Sequence, residues 1–322
     1  MSRDLVIDCH ADTLLKKHFA EMARLLFNAQ QKYQVSKELL LEGGIDIQVF
    51  ALFVPPMIEK SGLEVTLELI TLAKELEDKG VFTLVKSKDD LMRLKGNKNQ
   101  LGMVLSLEGT VALERKLKIL PIFYELGVRN IGLAWSRENL FAEGSSFSET
   151  NNKGRGLSKA GKDLVMQMDN LGMVIDISHL NKKGVTDVVN LTGNPFIASH
   201  SNAHKLCPIS RNLTDDQIMD IVSSDGVIGI NFYSKFLRKD NPEKADIMDV
   251  INHIKYISDL TSENHVGLGS DFDGITMTPK GLENASKIKD IPPLLAEEGF
   301  SKQNITNIMG GNFERVFHKV WK

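Results

Sequence analysis

Only two cysteines, Cys9 and Cys207, occur in 322 residues, too few for a disulfide framework in a chain of this length. An excess of one charge sign is missing too. The 39 Lys and Arg stand against 42 Asp and Glu, a formal net charge of −3, which argues against the polybasic surface that nucleic acid or anionic lipid selects. No run approaches the roughly 20 apolar residues of a membrane span. The opening residues, Met1–Asp8, lack the long apolar stretch of a signal peptide, and the amphipathic Asn312–Lys322 is not a lipid-anchor signal. The cytoplasm is therefore the expected address. Linkers, internal repeats and low-complexity tracts are also missing, so a single domain over residues 1–322 is expected. With 42% hydrophobic and 25% charged residues, the chain can bury one large core.

What is present is a recurring unit. Eight strand-like apolar runs occur at 4–10, 46–54, 101–108, 129–135, 173–179, 195–200, 226–233 and 265–271. Between them Leu63–Glu77, Ala112–Leu126, Ser158–Leu171, Lys182–Asn190, Asp215–Ser223 and Ile247–Leu260 follow the spacing of amphipathic helices. Ser158 stands where an N-cap belongs, and Thr214-Asp215-Asp216-Gln217 reads as a capping box. Strand alternating with helix eight times is the pattern of an α/β fold, the (β/α)8 TIM barrel, with the excess length placed in loops. Val81–Lys86 is a ninth strand-like run, assigned to an accessory strand outside the barrel. Glu138–Arg155, polar and rich in Gly and Ser, follows a strand end and suits a substrate-covering loop.

Metal-ligating side chains recur at the ends of five of these runs: His10 with Asp12, Glu108, His179, His200, and Asp271 with Asp273. In a parallel barrel the residues that do chemistry lie at the strands' C-terminal ends. Strand alternation points His10 and Asp12 to one side and Cys9 to the other. An imidazole and a carboxylate in that register suit a borderline cation such as Zn²⁺. His179 and His200, on consecutive strands, become neighbours able to share a second ion, and Glu108 lies between the two groups, where its two oxygens could bridge both. Asp12, Glu108 and Asp271 bring three negative charges together. Two divalent cations and a bridging hydroxide would balance them.

Each residue also has a plainer reading. His18, His253, His265 and His318 read as structural or surface histidines, and His204 as support or surface. Asp8 supports the site from below, Asp273-Gly274 is an ordinary turn, and Cys207 is buried filler with no histidine placed to activate it.

Ile-Asp-Cys-His-Ala-Asp-Thr (from Ile7), Leu-Glu-Gly, Gly-Leu-Ser-Lys-Ala-Gly, Ile-Asp-Ile-Ser-His-Leu, Ser-His-Ser-Asn-Ala, Ser-Arg-Asn-Leu, Ile-Asn-Phe-Tyr and Gly-Ser-Asp-Phe-Asp-Gly follow one another up to Gly274. Gly310-Gly311-Asn312-Phe313 comes after them. In this order, and with the 21-residue interval from His179 to His200, the chain resembles the renal (membrane) dipeptidase family of zinc peptidases over nearly its whole length. The resemblance implies two zinc ions per chain, one on His10 and Asp12, the other on His179 and His200, with Glu108 on both. It implies that Arg211 clamps the substrate's terminal carboxylate and that Asp271 is the catalytic aspartate. A bridging water acidified to hydroxide would attack the peptide bond of a dipeptide, L,D-dipeptides included. A homodimer is implied as an available assembly, with neither nucleic acid nor membrane as a partner. One position departs: Trp135, in Leu-Ala-Trp-Ser, replaces a family histidine thought to polarise the substrate. It offers substrate only an indole N–H and a flat wall.

Two other readings compete. A binuclear amidohydrolase acting on N-acyl amino acids, lactones or phosphoesters would keep the metals and change the substrate, and Arg211 weighs against substrates without a free carboxylate. A non-catalytic metal- or ligand-binding protein would be favoured by loss of a ligand or of Asp271, and neither is lost.

Overall fold

A computed structural model describes residues 4–19, 32–56, 58, 61–95, 97, 100–113, 117–146 and 153–322. Among these residues nine parallel strands run in chain order: β1 Ile7–Ala11, β2 Ile47–Phe53, β3 Thr83–Leu84, β4 Gly102–Glu108, β5 Val128–Gly132, β6 Val174–Asp176, β7 Ile197–Ala198, β8 Val227–Ile230 and β9 Val266–Leu268. They pair in the order β2-β1-β9-β8-β7-β6-β5-β4, and a further β2–β4 pairing closes this set of eight into a barrel. β3 pairs only with the start of β4, through Thr83 and Leu84, and is the accessory strand expected within 81–86.

Alternation along the strands sorts their side chains into two cores. Met103, Leu105, Leu107, Ile131, Ile175, Ile228 and Ile230 join the large cluster that the surrounding helices cover. Their neighbours Ile47, Val49, Val104, Val174, Ile197 and Val227 join a second cluster that includes Phe313, Phe317 and Trp321. These three aromatics belong to the C-terminal helix Asn312–Val320 and the residue after it. Phe317 and Trp321 stack with ring centroids 4.3 Å apart. Gly267 lets Phe313 approach β9, because a Cβ there would lie 2.4 Å from the Phe313 ring. Glu108 stands two and four residues beyond Ser106 and Val104 on this second face, which carries it into the C-terminal mouth of the barrel.

Most helices match the spacing that predicted them: Gly62–Asp78, Lys159–Leu171, Lys182–Val189, Asp215–Ser223 and Ile247–Leu260. Ser158 accepts the Gly161 N–H as N-cap, and Thr214 with Gln217 forms the expected capping box. Ala112–Leu126 is not one helix. Its described parts are two short 3₁₀ turns, Val111–Leu113 and Leu117–Ile119, and an α-helix, Leu120–Glu125, whose first turn holds Pro121.

Several strands end two or three residues before their apolar runs do. Past Asp176 and Ala198 the backbone leaves the ladder because side chains capture its N–H groups: Asp176 Oδ1 accepts those of Ser178 and Ser199, each at 2.9 Å. A register shift between Asp8 and Ala11 gives β1 one residue more than its partner strand. Cys9 consequently packs with Ile7 in the inner cluster beneath His10, and not on a face opposite to it. Segment 138–155 is anchored where it is described. Glu143 accepts the backbone N–H of Arg155 and a side-chain N–H of Asn181, and residues 147–152 lie outside the described set. Among the described residues no helix is long and apolar enough to cross a membrane.

Phe313 is fully buried at the base of the second cluster, far along the strands from the mouth. Phe313→Ala should cost about 3–5 kcal/mol of stability. Urea unfolding would show a lower midpoint, while metal affinity of the surviving folded protein stays unchanged.

Candidate metal centre

His10 and Asp12 close β1, Glu108 closes β4, and His179, His200 and Asp271 lie just beyond β6, β7 and β9. The barrel brings all six together. Glu108 Oε1 lies 3.0 Å from His179 Nε2 and 3.7 Å from His200 Nε2, while its Oε2 lies 3.6 Å from His10 Nε2. His10 Nε2 is also 3.6 Å from Asp12 Oδ2 and 4.0 Å from Asp271 Oδ1. The two histidines on consecutive strands meet Nε2 to Nε2 at 3.0 Å, and His10 stacks on His200 at a centroid distance of 3.7 Å. Three overlapping triads could each hold an ion: His10–Asp12–Glu108, Glu108–His179–His200 and His10–His200–Asp271. The last was not expected from sequence. It arises because β9 lies beside β1, which sets Asp271 against His10.

Backbone shape contributes to this convergence. His179 and Asp271 adopt left-handed conformations, with φ of 66° and 63°, which side-chain-bearing residues rarely do. Such strain persists where surrounding contacts over-determine it, and it clusters at functional sites. Gly274 passes so close beneath the carboxylates that a Cβ would meet Asp12 Oδ2 at 2.1 Å and Asp271 Oδ1 at 2.8 Å. The Asp273-Gly274 pair is thus more than a turn. Asp273 accepts the Thr13 hydroxyl at 2.7 Å and Lys16 Nζ at 2.8 Å, tying the loop after β9 to the helical turn after β1.

Burial and crowding set the charges. Burial works against protonation of His10, yet Glu108 and Asp12 beside it raise its pKa well above the ordinary histidine value. Burial, with the Arg211 charge nearby, pushes His179 down to about 4, and burial with His10 and Arg211 depresses His200. Burial would raise Glu108, but the neighbouring His10 and His179 hold it below the usual carboxylate range. Asp271 is raised to about 7, chiefly by burial; His10 opposes this, and Asp12 and Glu108 add to it. The donor set suits a borderline divalent cation, and the fit has a direct sign. Both ring nitrogens of His10 and Oδ1 of Asp12 are buried without a hydrogen-bond partner. Coordination through Nε2, the nitrogen that faces Glu108 and Asp12, and through the Asp12 carboxylate would satisfy two of these atoms; nothing else among the described residues does.

The remaining expected residues fall around this rim. A cavity of about 590 Å³ opens over Asp12, Glu108, His179 and Asp271, walled by Phe53 and Trp135. Trp135 lies between Phe53, at 5.4 Å, and His179, at 5.7 Å between ring centroids. Arg211 is 3% exposed and lies against the His200 segment at this rim. It donates to Ser201 Oγ at 2.9 Å and to the His200 carbonyl at 2.7 Å, and its Nε is buried without a partner. The plainer readings hold for His253, which accepts the Ala203 N–H and contacts the Leu237 carbonyl, and for Cys207, a buried free thiol that burial pushes up to about 11. Asn231, part of the Ile-Asn-Phe-Tyr motif but given no role there, donates to Asp271 Oδ2 at 2.8 Å. Ser136 and Ser199, at 2.7 and 2.8 Å from the Nδ1 atoms of His179 and His200, were likewise quoted in motifs without a role. Their sequence signal was weak: small polar residues at or just past strand ends, two of them 40 or more residues from the group they meet.

A closed parallel barrel with histidines and carboxylates converging at its C-terminal mouth defines a metal-dependent hydrolase of barrel type. The family model for membrane dipeptidase, peptidase family M19, matches residues 1–322, and the chain belongs to that family. A metallopeptidase from Rhodobacter sphaeroides, solved with a phosphinate mimic of the dipeptide L-Ala-D-Ala, is 28% identical; the alignment covers 99% of this chain and 100% of that one with a TM-score of 0.89. A protein from the pqqA 5′ region of Klebsiella pneumoniae is 36% identical over 81% of this chain and 97% of its own length. A dipeptidase of Aspergillus oryzae is 36% identical over 69% of this chain, and the match spans about half of it, 52%.

Metal ligands must be deprotonated, so binding at this centre releases protons. His10 is held protonated in the metal-free site, whereas the depressed His179 and His200 are already neutral near pH 7. Affinity for Zn²⁺ should therefore rise with pH from 6 to 8. Calorimetry in buffers of different ionisation enthalpy should show net proton release; binding without release would contradict this charge assignment.

Proposed function

We propose that the protein is a zinc dipeptidase with two ions per chain, one on His10 and Asp12, one on His179 and His200, and Glu108 on both. The observation that carries this reading is the disposition of Glu108, which turns one oxygen to each histidine set. When bound, the two ions would polarise the scissile carbonyl and make hydroxide available near neutral pH.

The chain's own residues supply the rest. Asp271 accepts the proton of the attacking water and returns it to the leaving amine. Asn231 holds its Oδ2 and leaves Oδ1 facing the centre, and a pKa raised to about 7 places it where a group can both take and give a proton. Arg211, anchored through Ser201 and the His200 carbonyl, keeps N–H donors for the substrate's terminal carboxylate. Phe53 and Trp135 form a flat apolar wall against which a substrate side chain packs. Small dipeptides match a cavity of this volume. The mimic bound by the Rhodobacter sphaeroides relative supports L,D-dipeptides as substrates.

The test is hydrolysis of L,L- and L,D-dipeptides by zinc-loaded protein, each supplied as the acid and as its amide. Chelation should abolish cleavage of the acids, and the amides should be cleaved far more slowly. Arg211→Met should raise KM for the acids by roughly 10–100-fold, the loss of one charge-assisted contact, and narrow the gap to the amides. Protein carrying two zinc ions that cleaves none of these substrates would sink the dipeptidase reading. Asp271→Asn should lower kcat by about 10²–10⁴-fold with zinc content unchanged; near-normal turnover would remove Asp271 from the mechanism.

A further inference from the structure

Beneath the rim lies a buried carboxylate with no part in the reading above. Asp176, at the end of β6, is 3% exposed. Its Oδ1 accepts the backbone N–H groups of Ser178 and Ser199, and its Oδ2 accepts the Ser199 hydroxyl at 2.5 Å. A hydroxyl has one hydrogen to give. With that hydrogen on the Asp176 carboxylate, Ser199 Oγ can meet His200 Nδ1, 2.8 Å away, only as an acceptor. The ring proton of His200 is therefore on Nδ1, and Nε2 turns a lone pair toward Glu108 and His179.

His179 has no such direction built in. Ser136 Oγ lies 2.7 Å from its Nδ1 but makes no second hydrogen bond among the described residues, so its hydroxyl can turn either way. We infer that Asp176 and Ser199 form a relay that fixes the tautomer of His200 before any cation arrives. They are positioning residues for the His179–His200–Glu108 half of the centre. The inference rests on the metal-binding reading for what the relay is used for, but the tautomer itself is a property of the metal-free protein. Ligating histidines usually donate their other N–H to a carboxylate, carbonyl or water, and losing such a partner costs about 10–100-fold in metal affinity. Here a serine hydroxyl is interposed between ring and carboxylate.

The relay can be reversed without removing an atom from the core. In Asp176→Asn the amide oxygen must keep the position facing the two backbone N–H donors, which forces the NH₂ toward Ser199 Oγ. Ser199 then accepts from the amide and turns its own hydrogen to His200 Nδ1, the nearer acceptor at 2.8 Å, with Ser178 Oγ at 3.4 Å the only alternative shown. His200 would then present an Nε2–H to the cation, the same wrong-tautomer logic known from replacing a triad aspartate by asparagine.

The experiment is ¹⁵N NMR of histidine-labelled, metal-free protein together with calorimetric zinc binding. Wild type should show His200 as the Nδ1–H tautomer. D176N should lose it and bind one of two zinc equivalents about 10–100-fold more weakly, with the other unchanged. Ser199→Ala should weaken the same equivalent, and Ser199→Thr, which keeps the hydroxyl, should restore it. A wild-type His200 carrying its proton on Nε2 would overturn the inference, as would D176N or S199A binding both equivalents with wild-type affinity. Should D176N fail to fold, the wild-type tautomer and the Ser199 pair decide the matter. Wild type that shows the expected tautomer but cleaves no dipeptide would instead count against the proposed function and leave the relay standing.

Discussion

Three carboxylates and three imidazoles crowd one barrel mouth, with Glu108 at the centre of the group. Its oxygens reach His10 on one side and His179 on the other. Without added positive charge this arrangement frustrates itself. His10 is drawn toward protonation to compensate Glu108 and Asp12, while the two neighbouring imidazoles are pushed neutral, and Asp271 toward its protonated form. Like charges this close in a low-dielectric site are expensive unless something of opposite sign joins them. Cations would relieve these conflicts together, and would also engage His10 Nε2, the orphaned nitrogen that faces Glu108 and Asp12. The mouth is built around charge it does not itself carry.

Holding such a group together needs a rigid frame, and the parallel barrel provides it through its register. Phe53 pairs with Glu108, Glu108 with Gly132, and Gly132 with Asp176, so the end residues of four successive barrel strands stand in one row. Above that row the backbone departs from regular structure. The left-handed turn at His179 aims inward a side chain that a continuing strand would alternate away, and Gly274 allows the loop after β9 to pass under Asp12. The price of these irregularities is met below them, by the inner cluster that Phe313 and Trp321 complete and by side-chain bonds to freed N–H groups. Strain at the site and close packing beneath it are two sides of one design.

Much of this was legible from residue order, and the reasons differ by residue. The barrel showed itself because short β-branched runs between amphipathic helices have few other ways to bury both faces. His10, Asp12, Glu108, His179 and His200 could be placed at one rim because every parallel strand ends there, so a ligand at a strand's end is at the mouth whatever the strand. The third triad was not drawn from the sequence, where Asp271 was expected near Asp12 and Glu108 but as the catalytic aspartate, with no ion placed on it. Cys9 fell on an unexpected side because strict alternation ignores a one-residue bulge, which leaves no mark in an apolar run. Ala112–Leu126 misled for a similar reason: helical spacing says nothing about where a turn tightens.

The hydroxyls and amides around the ligands were the least legible part. Ser178-His179 and Ser199-His200 look alike as sequence, yet the serine that meets His179 is Ser136, from the loop after β5, while His200 is met by its own neighbour. The difference is not in the residues but in what stands behind each hydroxyl. Asp176 gives Ser199 a direction; among the described residues nothing gives one to Ser136. A ligand histidine of fixed tautomer presents a lone pair that needs no rearrangement. A freely turning one can instead donate its Nε2–H to Glu108 Oε1, at 3.0 Å, and so partly satisfy that carboxylate when no cation is present. One histidine is thus preset for coordination and the other is able to quiet the charge of Glu108. A buried site of this kind needs both if it is to stay folded when empty and still bind tightly when filled.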